Sequence, residues 1–187
     1  SPTTAADVVA DLSADVDVVL DGGPCRVGVE STIVDCARLD QPHARPAILR
    51  VGGVSREQVE ELLGHTVDVR TGGETRAPGA LDSHYAPNAR VVLVADEHLA
   101  SRAAAEIAAG QRVGVLASKP PDFLDDAVVV VGTPADADEY ARTLYRNLRD
   151  ADERGLDVVL AVVPTDVGIG AAVADRLRRA ARRDARR

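Results

Sequence analysis

Apolar positions along the chain follow two regimes. In the first, Ala5, Val8, Val9 and Leu12 share one helical face, with Ser1 as the expected N-cap and Pro2 at the first helical position. Val16 to Leu20 predicts a strand stopped by Asp21-Gly22-Gly23-Pro24, and Val29 to Asp35 and Ala47 to Arg50 predict two more. Gly52-Gly53 breaks the third. Ser55 with Gln58 forms a capping-box pattern that opens a helix through Val59, Leu62 and Leu63, and Gly64 is placed to end it. From about His65 to Asn88 the periodicity fades into a linker, whose length favours a functional role.

The second regime alternates strands with helices. Arg90 to Ala95, Arg112 to Ala117, Ala127 to Val131 and Asp157 to Val163 predict strands. Helical stripes run through Leu99, Ala103 and Ile107, through Tyr140, Leu144 and Leu148, and through Ile169, Val173 and Leu177. This order indicates an α/β class, a parallel sheet with helices on its faces. At roughly 100 residues the second half is large enough to fold alone. The first half reads as a piece of something larger.

Composition narrows the picture. The chain is 45% hydrophobic but only 2% aromatic, so aliphatic side chains must build the core. No stretch approaches the roughly 20 apolar residues needed to cross a bilayer, and no signal peptide is visible, so a soluble protein is expected. The absence of Met makes Ser1 a processing product or a truncation point. Cys25 and Cys36 do not form a metal-type pair and are expected to be reduced, in the cytoplasm. A net charge of -8 argues against a large nucleic-acid footprint. The local exception is the crowd of Arg176, Arg178, Arg179, Arg182, Arg183, Arg186 and Arg187. It is either a last helix complementing its own dipole or a contact surface for tRNA or a partner.

Candidate chemistry is sparse. The glycines between Asp21 and Thr32 suit either an anion cradle or a tight turn. Arg50, ending an apolar strand, either binds a phosphate or carboxylate or pairs with Asp35 or Glu30. His84-Tyr85 offers an imidazole and a stacking ring. Asp166-Val167-Gly168-Ile169-Gly170 suits a helix start better than a phosphate loop, because the full dinucleotide spacing is absent.

Several segments nevertheless occur in a telling order. These are Ser1-Pro2-Thr3-Thr4-Ala5, Leu20 to Pro24, Gly28 to Asp35, Ile48 to Val54, Ala77-Pro78-Gly79, His84 to Pro87, Ala141 to Tyr145 and Gly168 to Ala172. Together they resemble the YrdC-like threonylcarbamoyl-AMP synthase family in its long, two-domain form. The resemblance implies the end of a YrdC-like catalytic domain over 1–63, an interdomain linker over 64–89 and a small Rossmann-like parallel-sheet domain over 90–187. It further implies a nucleotidyltransferase that joins L-threonine, bicarbonate and ATP, with Mg2+ on the nucleotide, into threonylcarbamoyl-AMP and pyrophosphate. That product would pass to the threonylcarbamoyl transferase machinery acting on tRNA. By the same resemblance Ser31 contacts threonine, while Thr3, Arg50, Tyr85 and His84 contact ATP or the adenylate. The family's lysine- and arginine-bearing motif and its Ser-x-Asn motif should precede Ser1, so this chain alone is expected to be inactive. The linker also departs from the pattern at Ala80-Leu81-Asp82-Ser83, and Val51 stands where proline is usual. The alternatives are a non-catalytic ligand- or partner-binding module, or an RNA-binding module using the arginine-rich C-terminus.

Overall fold

The computed structural model describes residues 1–37, 39–40, 44–70, 87–119 and 127–182. Its larger sheet is parallel throughout and grows from the second half of the chain. It contains β4 (Arg90–Leu93), β5 (Val113–Leu116), β6 (Val128–Gly132) and β7 (Val158–Ala161), in the spatial order β4-β7-β5-β6. Successive side chains on a strand face opposite ways. Val113, Val115, Val158 and Leu160 therefore pack on Leu99 and Ala103 of α3 (Leu99–Ala108). Leu116, Val159 and Ala161 face the other way, onto Leu144 and Leu148 of α4 (Ala137–Glu153) and Val173 and Leu177 of α5 (Ile169–Arg182). Burial of β5 and β7 on both faces explains why they read as continuous aliphatic runs.

The tyrosine of the α4 stripe is one of the largest fully buried side chains, and its hydroxyl has a partner. Tyr140 donates to the Val162 carbonyl at 3.2 Å, and burial pushes its hydroxyl far above the usual tyrosine range. Asp136 caps α4 by accepting from the Glu139 amide.

The first half forms a smaller sheet. Here β1 (Ile33–Asp35) runs antiparallel to β2 (Ala47–Arg50), and β2 runs parallel to β3 (Asp68–Val69). Every residue of β2 is buried. The strand β3 and the buried Val67 lie where periodicity had faded, because a two-residue strand is too short to register as alternation. The capping box at Ser55 opens α2 (Arg56–Leu63), and Gly64 closes it in a left-handed conformation at φ 72°.

Two local expectations are corrected. The first helix, α1 (Ala5–Leu12), is capped by Thr4, not Ser1: Thr4 accepts from the Asp7 amide, and the Asp7 carboxylate accepts from the Thr4 amide. Thr4 offers the same hydroxyl chemistry as Ser1 and stands immediately before the helix. No strand forms over 16–20, where Val18 is 75% and Leu20 89% exposed. Alternation there has no neighbouring strand among the described residues to pair with.

The two halves meet along α4. Gly28, at φ 80°, lies against its backbone, where an added Cβ would sit 2.3 Å from the Ala141 carbonyl oxygen. Val29 packs onto the core beneath α4 and α5. Arg149 of α4 grips Asp11 of α1 with two parallel hydrogen bonds of 2.8 and 2.7 Å. No helix is long and apolar enough to cross a membrane among the described residues.

Candidate functional site

The end of β2 delivers Arg50 to the segment 28–32. Arg50 is only 8% exposed, and its guanidinium wraps the main chain of Ser31. Nε and Nη2 donate to the Ser31 carbonyl at 3.1 and 2.8 Å, and Nη2 also reaches the Ser31 hydroxyl at 3.2 Å. Ser31 itself is exposed. A buried cation therefore backs an exposed hydroxyl, an arrangement able to bind a polar or anionic ligand from the solvent side.

The glycines of this region serve close packing. A Cβ on Gly52 would lie 2.3 Å from the Glu30 carbonyl and 2.5 Å from the Thr32 nitrogen. The Gly53 amide donates to the Glu30 carbonyl at 2.9 Å. Thr32 and Val54 are tied twice, since the Thr32 hydroxyl donates to the Val54 carbonyl and accepts from its amide. Residues 52–54 thus clamp 30–32 on one side.

On the other side the clamp is ionic. The Glu30 carboxylate accepts from the Ser1 hydroxyl, from the Tyr145 hydroxyl at 3.0 Å and from Arg176 Nε at 2.9 Å. Burial alone would raise the Glu30 pKa. The Ser1 hydroxyl and the Arg176 charge outweigh it and bring the group from 4.5 down to about 2. Burial, reinforced by the Glu30 charge, pushes Tyr145 up to about 12. Because Glu30 is ionised more readily folded than unfolded, its contribution is complete above about pH 4.5 and fades as pH falls toward 2. The thermal midpoint of the wild type should accordingly drop faster than that of Glu30→Gln on acidification from neutral pH to about pH 3. Parallel curves would show that Glu30 contributes nothing through its charge.

The remaining expected site residues are placed as follows. Thr3 is buried, its amide and hydroxyl both donating to Asp7 at 2.7 and 3.0 Å, and its carbonyl accepts from the Cys25 amide. His84 and Tyr85 lie outside the described residues. Gly170, in the first turn of α5, packs against the Thr165 carbonyl, and Gly168 precedes the helix in a left-handed conformation at φ 59°, both in keeping with helix-start geometry. Cys25 and Cys36 are free thiols. In the arginine-rich C-terminus, Arg176 pairs with Glu30 and Asp175, Arg178 with Asp166 and Arg179 with Asp175. Arg183, Arg186 and Arg187 lie outside the described residues.

Glu30, Tyr145 and Arg176 were not among the site residues expected from the sequence. One signal was available. Arg176 stands three residues after Val173 and one before Leu177, on the apolar stripe of α5, and a charge facing a core demands a partner.

Comparison with known proteins supplies the context for this geometry. A family model described as "Threonylcarbamoyl-AMP synthase, C-terminal domain" matches residues 54–182, and one described as "Telomere recombination" matches residues 1–52. The threonylcarbamoyl-AMP synthase of Pyrococcus abyssi is 35% identical over 96% of this chain and 54% of its own length. That of Bacillus subtilis is 34% identical over 97% of this chain and 53% of its own. A crystal structure of P. abyssi Sua5 with L-threonine superposes with a TM-score of 0.81 at 33% identity, covering 97% of this chain and 54% of that one. A variant of the same protein with alanine in place of a consecutive histidine and tyrosine gives 0.77 at 31% identity, covering 97% of this chain and 53% of that one. The chain thus spans about half the length of the relatives it matches.

Proposed function

The chain belongs to the threonylcarbamoyl-AMP synthase family, and from that premise we propose that the complete protein joins L-threonine, bicarbonate and ATP into threonylcarbamoyl-AMP and pyrophosphate. The observation that carries the reading is the buried Arg50 guanidinium seated behind the exposed Ser31 hydroxyl. Ser31 would receive threonine. Arg50 would hold its loop and offer positive charge to the adenylate side, joined by Thr3 and by His84 and Tyr85. The only consecutive His-Tyr pair in this chain is His84-Tyr85.

The chemistry suits such a site. Carboxylation of the threonine amine by bicarbonate yields a carbamate and water. A carbamate oxygen then attacks the α-phosphorus of ATP, the bond from that phosphorus to the α–β bridging oxygen breaks, and pyrophosphate leaves. Such a displacement needs positioning and charge neutralisation more than a covalent nucleophile. Among the described residues no group of three or more His, Cys, Asp or Glu could hold a metal ion. Magnesium would be expected on the triphosphate of ATP. Delivery of the product to tRNA modification in the cytoplasm belongs to the same proposal.

The test is pyrophosphate release by the complete protein, with each substrate omitted in turn and this 187-residue chain assayed beside it. Release that requires all three substrates, with silence from the chain alone, supports the proposal. Release without threonine or bicarbonate would reduce the protein to an ATP hydrolase and overturn it.

A further inference from the structure

The face of α4 and α5 that meets the first half of the chain carries two polar groups buried against a single carboxylate. Tyr145 is 2% exposed and Arg176 8% exposed, and both bond Glu30, the residue immediately before Ser31. Oε1 of Glu30 accepts from Tyr145 and from the Ser1 hydroxyl, and Oε2 accepts from Arg176. Arg176 is held in turn by Asp175, through Nη1 at 2.6 Å. The Glu30 carbonyl meanwhile accepts from the Gly53 amide, and the Ser31 carbonyl accepts from Arg50. Residues 30 and 31 are therefore pinned from two directions, by Arg50 and Gly53 of their own half and by Tyr145 and Arg176 of the other.

Pure adhesion between the halves does not require this placement. Gly28 on α4, Val29 on the core and the Arg149–Asp11 pair already join them. A carboxylate bonded to a buried tyrosine and a buried arginine adds directional hydrogen bonds, which fix orientation where apolar contacts leave it loose. Those bonds end one residue from the hydroxyl assigned to the substrate.

We infer that Tyr145 and Arg176 are positioning residues for the synthase site, setting the Ser31 hydroxyl through Glu30 so that the C-terminal parallel-sheet domain tunes threonine recognition. The inference rests on the proposed function. Neither residue touches substrate. Each acts by restricting Ser31, the residue assigned to threonine, and loss of the restriction weakens threonine binding before it affects the chemical step.

The experiment compares the complete wild-type protein with Tyr145→Phe, Ser31→Ala and the double variant, measuring KM for threonine, KM for ATP and kcat. Tyr145→Phe removes one hydroxyl and keeps the packed ring, so the fold should survive. The expected result is a threonine KM raised by about 5- to 20-fold, with the ATP KM and kcat within about twofold. The double variant should be no worse for threonine than Ser31→Ala alone, because the two changes interrupt one path. Arg176→Lys supplies a second variant, which keeps the charge but loses the directed Nε bond, and should shift the threonine KM in the same direction. Unchanged threonine KM in Tyr145→Phe and Arg176→Lys, or effects that multiply with Ser31→Ala, would overturn the inference. A wild type without threonine-dependent pyrophosphate release would instead remove the functional reading on which the inference stands.

Discussion

Arg50→Ala in the complete protein is expected to lower ATP-, threonine- and bicarbonate-dependent pyrophosphate release by about 10²- to 10³-fold, the loss that follows if Arg50 offers charge to the adenylate as proposed above. The guanidinium does two things at once. It fixes the Ser31 carbonyl and hydroxyl with three hydrogen bonds, and it places a buried positive charge at the end of β2. Alanine removes both and leaves the Ser31 carbonyl short of donors. Arg50→Lys should restore little, because a single ammonium cannot reproduce the two-pronged grip of Nε and Nη2 on one carbonyl. Assays well below each variant's thermal midpoint separate lost function from lost fold. Full activity in Arg50→Ala would remove this residue from the site.

Gly28→Ala should have the largest effect on stability. The added methyl would lie 2.3 Å from the Ala141 carbonyl oxygen and 2.4 Å from Arg142 Cα, both part of the α4 main chain and unable to swing aside. The left-handed φ of 80° adds a conformational penalty for any residue with a Cβ. Overpacking of this kind costs about 1–3 kcal/mol and the backbone conformation about 1–2 kcal/mol more. For a chain of this size the sum corresponds to a fall in thermal midpoint of roughly 5–15 °C. Limited proteolysis would show cleavage near 21–32 before the parallel-sheet domain opens. An unchanged midpoint would mean that the 28–32 segment does not rest on α4.

These two sites show how far the sequence could be read. The parallel sheet was legible because β5 and β7 are buried on both faces and their helices carry four-residue stripes. The capping box at Ser55 and the stop at Gly64 were legible because both are local. The strand expected over 16–20 failed for the opposite reason: hydrophobicity says nothing about whether a partner strand lies beside it. Arg50 could be singled out as a charge ending an apolar strand, but its partner could not. The alternatives were a phosphate or an acidic neighbour such as Asp35 or Glu30, and the structure shows it bonded to the main chain and hydroxyl of Ser31.

At the Glu30 node only Arg176 carried a local signal, its place on the apolar stripe of α5, and its partner could not be read. Tyr145 and Arg176 stand 115 and 146 residues beyond Glu30, and only the docking of one half on the other brings them to it. Gly28 illustrates the same limit. Glycine density between Asp21 and Thr32 suited either a ligand cradle or a turn, and at Gly28 it reflects helix packing instead.

The most direct test follows labelled carbon from bicarbonate. The complete protein is incubated with ATP, L-threonine and labelled bicarbonate, and the nucleotide products are separated. The proposed chemistry predicts label in an adenylate that also contains threonine, formed in equal amount with pyrophosphate. Pyrophosphate with no labelled adenylate, or no reaction at all with the three substrates, would contradict it.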